Sequence, residues 1–279
     1  MKTVDCYNCG EEKTKFYTEE NGFALVKCDS CGLLYVKQRP DDMEISHAHK
    51  QGIHSGEKEL DVKARFNRGK IQQYLEVLDD LFIGNFGKIN TWLDIGCGHG
   101  EFIIAVQKYS SGKIEIKGTE PNEYKQEMAR KKGLNVTCFD ISSHNEKYDA
   151  ISLLNVYSHL TNPPDFIDSL KMLLTPGGEL VLQTGDTADL DSKDHVRPFY
   201  LPDHLSFASE KIVTGILEKK GFDILKIKKY PFMRFNLKNT VKEFTKVFIP
   251  KYNSRIKYYF KIKNYPDTDM YIRAKLKSR

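Results

Sequence analysis

The sequence has no long apolar run: nothing in it approaches the roughly 20 residues that span a bilayer. Its opening, "MKTVDCYNCG", lacks the apolar core of a secretory signal. Together these absences make the cytosol the expected compartment. They also argue against disulfides, because the cytosol keeps thiols reduced, and the six cysteines are expected as metal ligands or free thiols. No RNA-binding motif stands in the sequence, and the G-x-G-x-x-G spacing of a pyrophosphate binder is missing. What is present is a globular composition: 279 residues, 40% hydrophobic and 29% charged, enough to bury a full core.

Charge is unevenly spread. Residues 211–279 hold 19 Lys/Arg against 5 Asp/Glu, leaving 24 against 33 in residues 1–210. Such a basic end suits an anionic partner such as a nucleotide, phosphate, RNA or acidic lipid, or serves as a solvated lysine-rich surface.

Two cysteine pairs, Cys6-x-x-Cys9 and Cys28-x-x-Cys31, are each followed by a glycine, Gly10 and Gly32. Their spacing is that of a zinc ribbon, in which four thiolates surround one tetrahedral ion and leave no open position, so the expected zinc is structural. A redox dithiol is the competing reading. The apolar stretches "FALVK" and "LLYV" are expected as short strands of a unit too small to fold on its own core.

Residues 91–100, "TWLDIGCGHG", give a short strand ending in an acid, followed by Gly96, Gly98 and Gly100 at alternate positions. A helical pattern follows, which puts the glycines in a strand-to-helix turn where backbone can approach a ligand. A second strand, "KIEIKGTE", ends at Glu120, at the distance where an acid meets a ribose diol. Further strands are expected in "NVTCFDI", ending near Asp140, in "YDAISLLNV", reaching Asn155, and in "GGELVLQTG". Strands alternating with helices predict an α/β fold, a doubly wound, mostly parallel Rossmann-like sheet that binds ligands at the carboxyl ends of its strands. "FDILKIKKY" and "DMYIRAKLK" are expected as a C-terminal antiparallel strand pair.

The run "LDIGCGHG", "GTEPN", "CFDI", "YDAISLLNVYSHLTNPPDFI" and "LLTPGGELVLQT" resembles the successive motifs of class I S-adenosylmethionine-dependent methyltransferases. That resemblance implies an enzyme with S-adenosylmethionine as cofactor. It implies that Gly96, Cys97, Gly98 and Gly100 pack on the cofactor's amino-acid portion while Asp94 supports the loop. Glu120, beside Pro121, would take the ribose hydroxyls, Asp140 and Ile141 would meet the adenine, and Asn155 and Tyr157 would flank the methionine and sulfonium. With the cysteine pairs ahead of it, the chain is similar to sugar C-methyltransferases and polysaccharide-cluster methyltransferases. The division implied is a zinc ribbon over 1–39, a helical linker or lid over 40–90, the methyltransferase core over 91–230, and a basic insertion with the final strand over 231–279. In such relatives the linker helps close over the cofactor, which makes His47, His49, His54, Arg65 and Arg68 candidates to face substrate.

After the fifth strand comes the long polar stretch "DTADLDSKDHVRPFYLPDHLSFAS", expected to be functional because it ends at the ligand edge of the sheet. Ser209 is the expected N-cap of the next helix. "DHLSFAS" resembles the E-H-x-S-x-F-S motif whose histidine removes a proton from the sugar in those relatives, with Asp203 in place of the glutamate. The resemblance makes His204 the candidate general base, oriented by Asp203. A histidine of ordinary pKa suits that work. His159 is the rival base, and packing of the loop is the alternative role for His204. The implied acceptor is a small anionic molecule, a nucleotide-linked sugar or polysaccharide precursor, with C- or O-methylation both open. The basic, aromatic stretch 231–267 would cover the site, hold a nucleotide diphosphate, touch an acidic membrane surface or bind RNA. An RNA methyltransferase and a non-catalytic cofactor-binding protein are the remaining readings.

Overall fold

The computed structural model describes residues 1–61, 65–231 and 266–277. The basic stretch expected over 231–267 lies almost wholly outside the described residues.

The N-terminal segment forms three antiparallel strands, β1 (Thr14–Glu20), β2 (Phe23–Cys28) and β3 (Leu34–Val36). Two helices follow. Asp41 starts α1 (Asp42–Gln51) with a full capping box, accepting from the backbone of Met43 and Glu44 while Glu44 reaches back to its N–H. Asn67 caps α2 (Arg68–Phe82), whose Ile71, Leu78, Leu81 and Phe82 recur at helical spacing and are buried.

The core sheet contains β4 (Thr91–Ile95), β5 (Glu115–Thr119), β6 (Val136–Thr137), β7 (Tyr148–Leu154), β8 (Leu174–Gly185), β10 (Phe222–Tyr230) and β11 (Asp269–Leu276). Between them run α3 (Glu101–Tyr109), α4 (Glu123–Arg130), α5 (Pro163–Leu173) and α6 (Glu210–Lys219), with the short β9 (Ser206–Phe207) ahead of α6. The strand order is β6-β5-β4-β7-β8-β11-β10. The first five strands are parallel, and β11 runs antiparallel to both β8 and β10. This is the expected α/β, Rossmann-like sheet with its antiparallel pair. The third strand is shorter than "NVTCFDI" suggests: pairing ends at Thr137, and Asp140 sits in an exposed turn.

Side chains alternate across the sheet. Leu180 and Leu182 enter one core and Val181 the other, as do Met270 and Ile272 against Tyr271. One core packs α2, α3 and α4, and the other packs α5, α6 and the ribbon, whose Leu25, Leu34 and Tyr35 are fully enclosed with sheet residues. Each such large side chain contributes about 1.5–3 kcal/mol relative to exposure. Arg273 ties α2 to the sheet. Its guanidinium forks onto Glu179 at 2.7 and 3.0 Å, donates to Leu81 O at 2.9 Å and stacks on Phe82.

The ribbon is also continuous with the loop before α6. Strand β9 pairs with β3, Ser206 opposite Tyr35 and Phe207 opposite Leu34, making a fourth strand of the ribbon sheet. The Glu20 carboxylate accepts from the backbone N–H groups of Phe199 and Tyr200 at 2.8 and 2.6 Å. Tyr17 donates to Leu190 O, Lys27 to Ala188 O and Arg197 to Thr18 Oγ1. The long loop is therefore laid down on the ribbon. Ser209 stands at the N-cap of α6 but makes no side-chain capping bond; the Asp186 carboxylate accepts from Glu210 N–H at 2.8 Å instead. No helix among the described residues is long and apolar enough to cross a membrane.

Candidate active site

The four ribbon cysteines converge. Cys6 and Cys31 Sγ are 3.4 Å apart, and Cys9 and Cys28 Sγ 3.5 Å. Zinc–sulfur bonds of about 2.3 Å set tetrahedral sulfur pairs about 3.8 Å apart, so the four thiols fit one ion with a small expansion. Gly10 N–H donates to Cys6 O and Gly32 N–H to Cys28 O, and both glycines take positive φ to close their knuckles.

Between β4 and α3 the chain turns through Gly96, Gly98 and Gly100, all at positive φ. A Cβ on Gly96 would lie 2.5 Å from Val156 Cγ2, and one on Gly100 2.2 Å from Leu134 Cδ1, whereas Gly98 has nothing within 4 Å. Two of the glycines thus serve packing, and Gly98 faces open space. Thr119 O accepts from Gly96 and Cys97 N–H at 2.7 and 3.1 Å, fixing the turn to the end of β5. The Cys97 side chain is buried over Gly118, toward the sheet.

Three buried acids surround this turn. Glu120 accepts from Gly98 N–H at 2.8 Å and Asn122 N–H at 3.0 Å. Glu101 accepts from Asn67 N–H at 2.8 Å, hooking the start of α2 to the turn. Asp94 accepts from the Ser152 hydroxyl at 2.5 Å. Burial, and then the charges of Glu120 and Glu101, push the Asp94 carboxyl up to about 7 against that bond. Among the described residues no lysine or arginine pairs with any of the three. The turn is therefore electrostatically prepared for a cation.

The other expected cofactor residues lie variously. Pro121 is half-buried after Glu120, and Ile141 packs against the core. Asp140 is exposed and accepts from the backbone and hydroxyl of Ser142, which hold its carboxyl below the usual range. Asn155 is exposed at φ 58°, directly after β7. Tyr157 departs from its expected role beside the sulfonium. Its ring is fully enclosed and interacts with Tyr7 of the ribbon, because the short 3-10 turn Tyr157–His159 directs it into the junction.

That same turn presents His159, and with it a row of imidazoles. Ring centroids run His54 to His49 at 5.4 Å, His49 to His159 at 5.9 Å and His159 to His204 at 4.7 Å. His159 Nδ1 lies 2.9 Å from Asp203 O and 3.1 Å from Asp203 Oδ1. His54 Nε2 is 3.0 Å from the same carboxylate oxygen. His204 Nδ1 is 2.8 Å from Phe199 O. A carbonyl only accepts, so both His159 and His204 carry the proton on Nδ1 and turn the Nε2 lone pair outward. Burial, and then the charge of His159, lower His204 to about 4. Burial would lower His159 too, but Asp203 overcomes it and raises His159. Asp203, buried against its own ionisation, is held well below the carboxylate range by His159 and His54.

The expected pairing of Asp203 with His204 is thus corrected: the carboxylate serves His159 across the fold, and Phe199 O orients His204. Of the linker candidates, His49 and His54 join the row, while His47, Arg65 and Arg68 are exposed. Glu20, Glu101 and Ser152 were not expected. Glu101 directly follows the glycine turn, a signal available in the sequence, whereas nothing near Glu20 points to a loop some 180 residues away.

The sequence matches the methyltransferase-domain family over residues 64–227. It is 33% identical over 112 residues to a ubiquinone biosynthesis O-methyltransferase of Actinobacillus pleuropneumoniae, covering 36% of this chain and 47% of that protein. The chain thus spans about half the length of the curated relatives it matches. Among solved structures it resembles an S-adenosylmethionine-dependent methyltransferase from Archaeoglobus fulgidus, at 21% identity and TM-score 0.52, covering 74% of this chain and 94% of that one. It also resembles the cyclase SpnF, at 18% identity and TM-score 0.53, covering 85% and 92% of the two chains. At these identities the likeness is one of fold.

Proposed function

The chain belongs to the methyltransferase-domain family, and on that premise we propose that it transfers a methyl group from S-adenosylmethionine to a small acceptor, with His204 taking the acceptor's proton. The observation that carries the reading is the glycine turn ringed by Asp94, Glu101 and Glu120, three buried acids without a cationic partner among the described residues. The cofactor has no phosphate and bears a sulfonium and an ammonium, which such a ring favours. When bound it supplies an electrophilic methyl carbon. The chain's own residues then have to hold the acceptor in line and manage its proton.

Gly98 leaves room for the cofactor's amino-acid end, Glu120 is available to ribose hydroxyls, and Asp140, Ile141 and Asn155 lie after the neighbouring strands. His204 supports the base role because its Nδ1 is committed to Phe199 O, leaving Nε2 to receive a proton. Burial and the charge of His159 weaken His204 as a base, and the Asp203 carboxylate is the neighbour that would favour the imidazolium that forms. Zinc in the four-cysteine ribbon would be structural, keeping the base-bearing loop in register through β3 and Glu20.

For the acceptor we favour a nucleotide-linked sugar or polysaccharide precursor, on the ribbon and "DHLSFAS" together, in the cytoplasm. The similarity to a ubiquinone biosynthesis O-methyltransferase favours a second class, a small molecule with an acidic ring hydroxyl. Methyl-labelled cofactor, offered with a nucleotide-sugar panel and with catechol-type compounds, tests both. Label on sugars supports the first class, label on ring hydroxyls the second, and label on RNA alone would overturn the small-acceptor reading.

A further inference from the structure

We propose that the chain holds a second metal ion, apart from the cysteine ribbon, bound by His49, His159 and Asp203. One ligand atom from each of these residues lies within 4.8 Å of the other two. They come from three separate places, α1, the turn after β7 and the loop laid on the ribbon, and it is the packing of the fold that brings them together.

Hydrogen bonding alone leaves this cluster incomplete. His49 Nε2 is buried and has no hydrogen-bond partner. His54 Nε2 is buried too and sits 3.0 Å from Asp203 Oδ1 without the alignment of a hydrogen bond. Buried polar atoms are ordinarily satisfied, and an orphaned His49 nitrogen beside a carboxylate that His54 and His159 already approach needs an explanation. An ion supplies one: it would accept the His49 lone pair and replace the proton that His159 shares with Asp203.

Two imidazoles and a carboxylate are a donor set for a divalent transition ion such as zinc, iron or manganese. It differs from the ribbon in kind, since four thiolates close a tetrahedral shell while three ligands leave positions open. Those positions would lie beside His204, whose ring centroid is 4.7 Å from that of His159. On the methyl-transfer reading above, they would take an oxygen of the acceptor and acidify it, so that His204 has less to do. The metal site itself does not rest on that reading.

The experiment is a metal count on the full chain after equilibrium dialysis against zinc. The wild type is expected to bind two ions, and Cys9→Ser and His49→Ala to bind one each by losing different ones. Asp203→Asn should match His49→Ala, and His47→Ala, an exposed neighbour on the same helix, should keep two. Circular dichroism confirms that each variant is folded. His49 lies on a surface helix, so its truncation leaves the test usable if Asp203→Asn fails to fold. A wild type that binds one ion, or a His49→Ala chain that still binds two, overturns the proposal. Because no methyl transfer is read, failure of the enzymatic reading would not be mistaken for failure of the site.

Discussion

Asp203 Oδ1 lies 3.1 Å from His159 Nδ1, so the carboxylate that neighbours His204 in the chain serves a different histidine in the fold. The two imidazoles are consequently set up by different means. His159 is held by the backbone carbonyl and the carboxylate of Asp203 together, and His204 by the backbone carbonyl of Phe199 alone.

Replacing His204 by Ala should lower kcat by about 100-fold or more, the usual worth of a positioned base, with cofactor affinity within about threefold of wild type. Steady-state kinetics and calorimetry read the two quantities. An unchanged kcat would move the base to His159.

The ribbon's role in holding this loop is separable from its stability. Glu20→Gln keeps an acceptor oxygen but turns an amide N–H₂ toward the N–H groups of Phe199 and Tyr200. Charge-assisted bonds of this kind are worth about 1.5–3 kcal/mol, so kcat should fall roughly tenfold or more while the four-cysteine metal count stays the same. Wild-type kcat in Glu20→Gln would show that the loop keeps its position without the ribbon.

Two glycines of the turn, Gly98 and Gly100, should behave differently on substitution by alanine. Both sit at positive φ, where any Cβ is strained, but Gly100→Ala also meets Leu134 Cδ1 and should lower the melting temperature by several degrees more than Gly98→Ala, which meets no protein atom and should remain folded. Gly98→Ala should nonetheless lose cofactor binding, because its Cβ occupies the open side. Equal melting losses in both variants would contradict this division.

Strands alternating with helices made the sheet legible in the sequence, as did "TWLDIGCGHG" and the cysteine spacing, because each is a pattern written along consecutive residues. The short third strand was overread because "NVTCFDI" has β-forming residues but pairs with β5 only through Val136 and Thr137. The Asp203–His159 pairing, the anchoring by Glu20 and the assembly of His49 with His159 were not legible. They join residues 44 to 180 positions apart through the packing of the ribbon, α1, the turn after β7 and the loop, which leaves no local pattern.

His195 gives the fold a dependence on pH away from the histidine row. It is buried, 4% exposed, with Nε2 3.0 Å from Thr187 O, and burial, with Arg197 nearby, lowers it from the ordinary 6.5 to about 4. The unfolded chain therefore binds a proton that the folded chain refuses between those values. Its contribution to stability is full above pH about 6.5 and is lost as pH falls toward about 4, roughly 3 kcal/mol across the window at about 1.4 kcal/mol per unit. Urea unfolding at pH 7 and pH 4.5 should show a smaller acid loss in His195→Gln than in wild type; equal losses would contradict the assignment.

The central claim is that the acid-ringed glycine turn holds S-adenosylmethionine, and calorimetry on the folded full chain tests it most directly. The account predicts one bound molecule per chain, with affinity reduced on the order of 100-fold in Glu120→Ala, the loss of a pair of charge-assisted hydrogen bonds. Folded wild-type protein that fails to bind S-adenosylmethionine while binding a nicotinamide dinucleotide would contradict it.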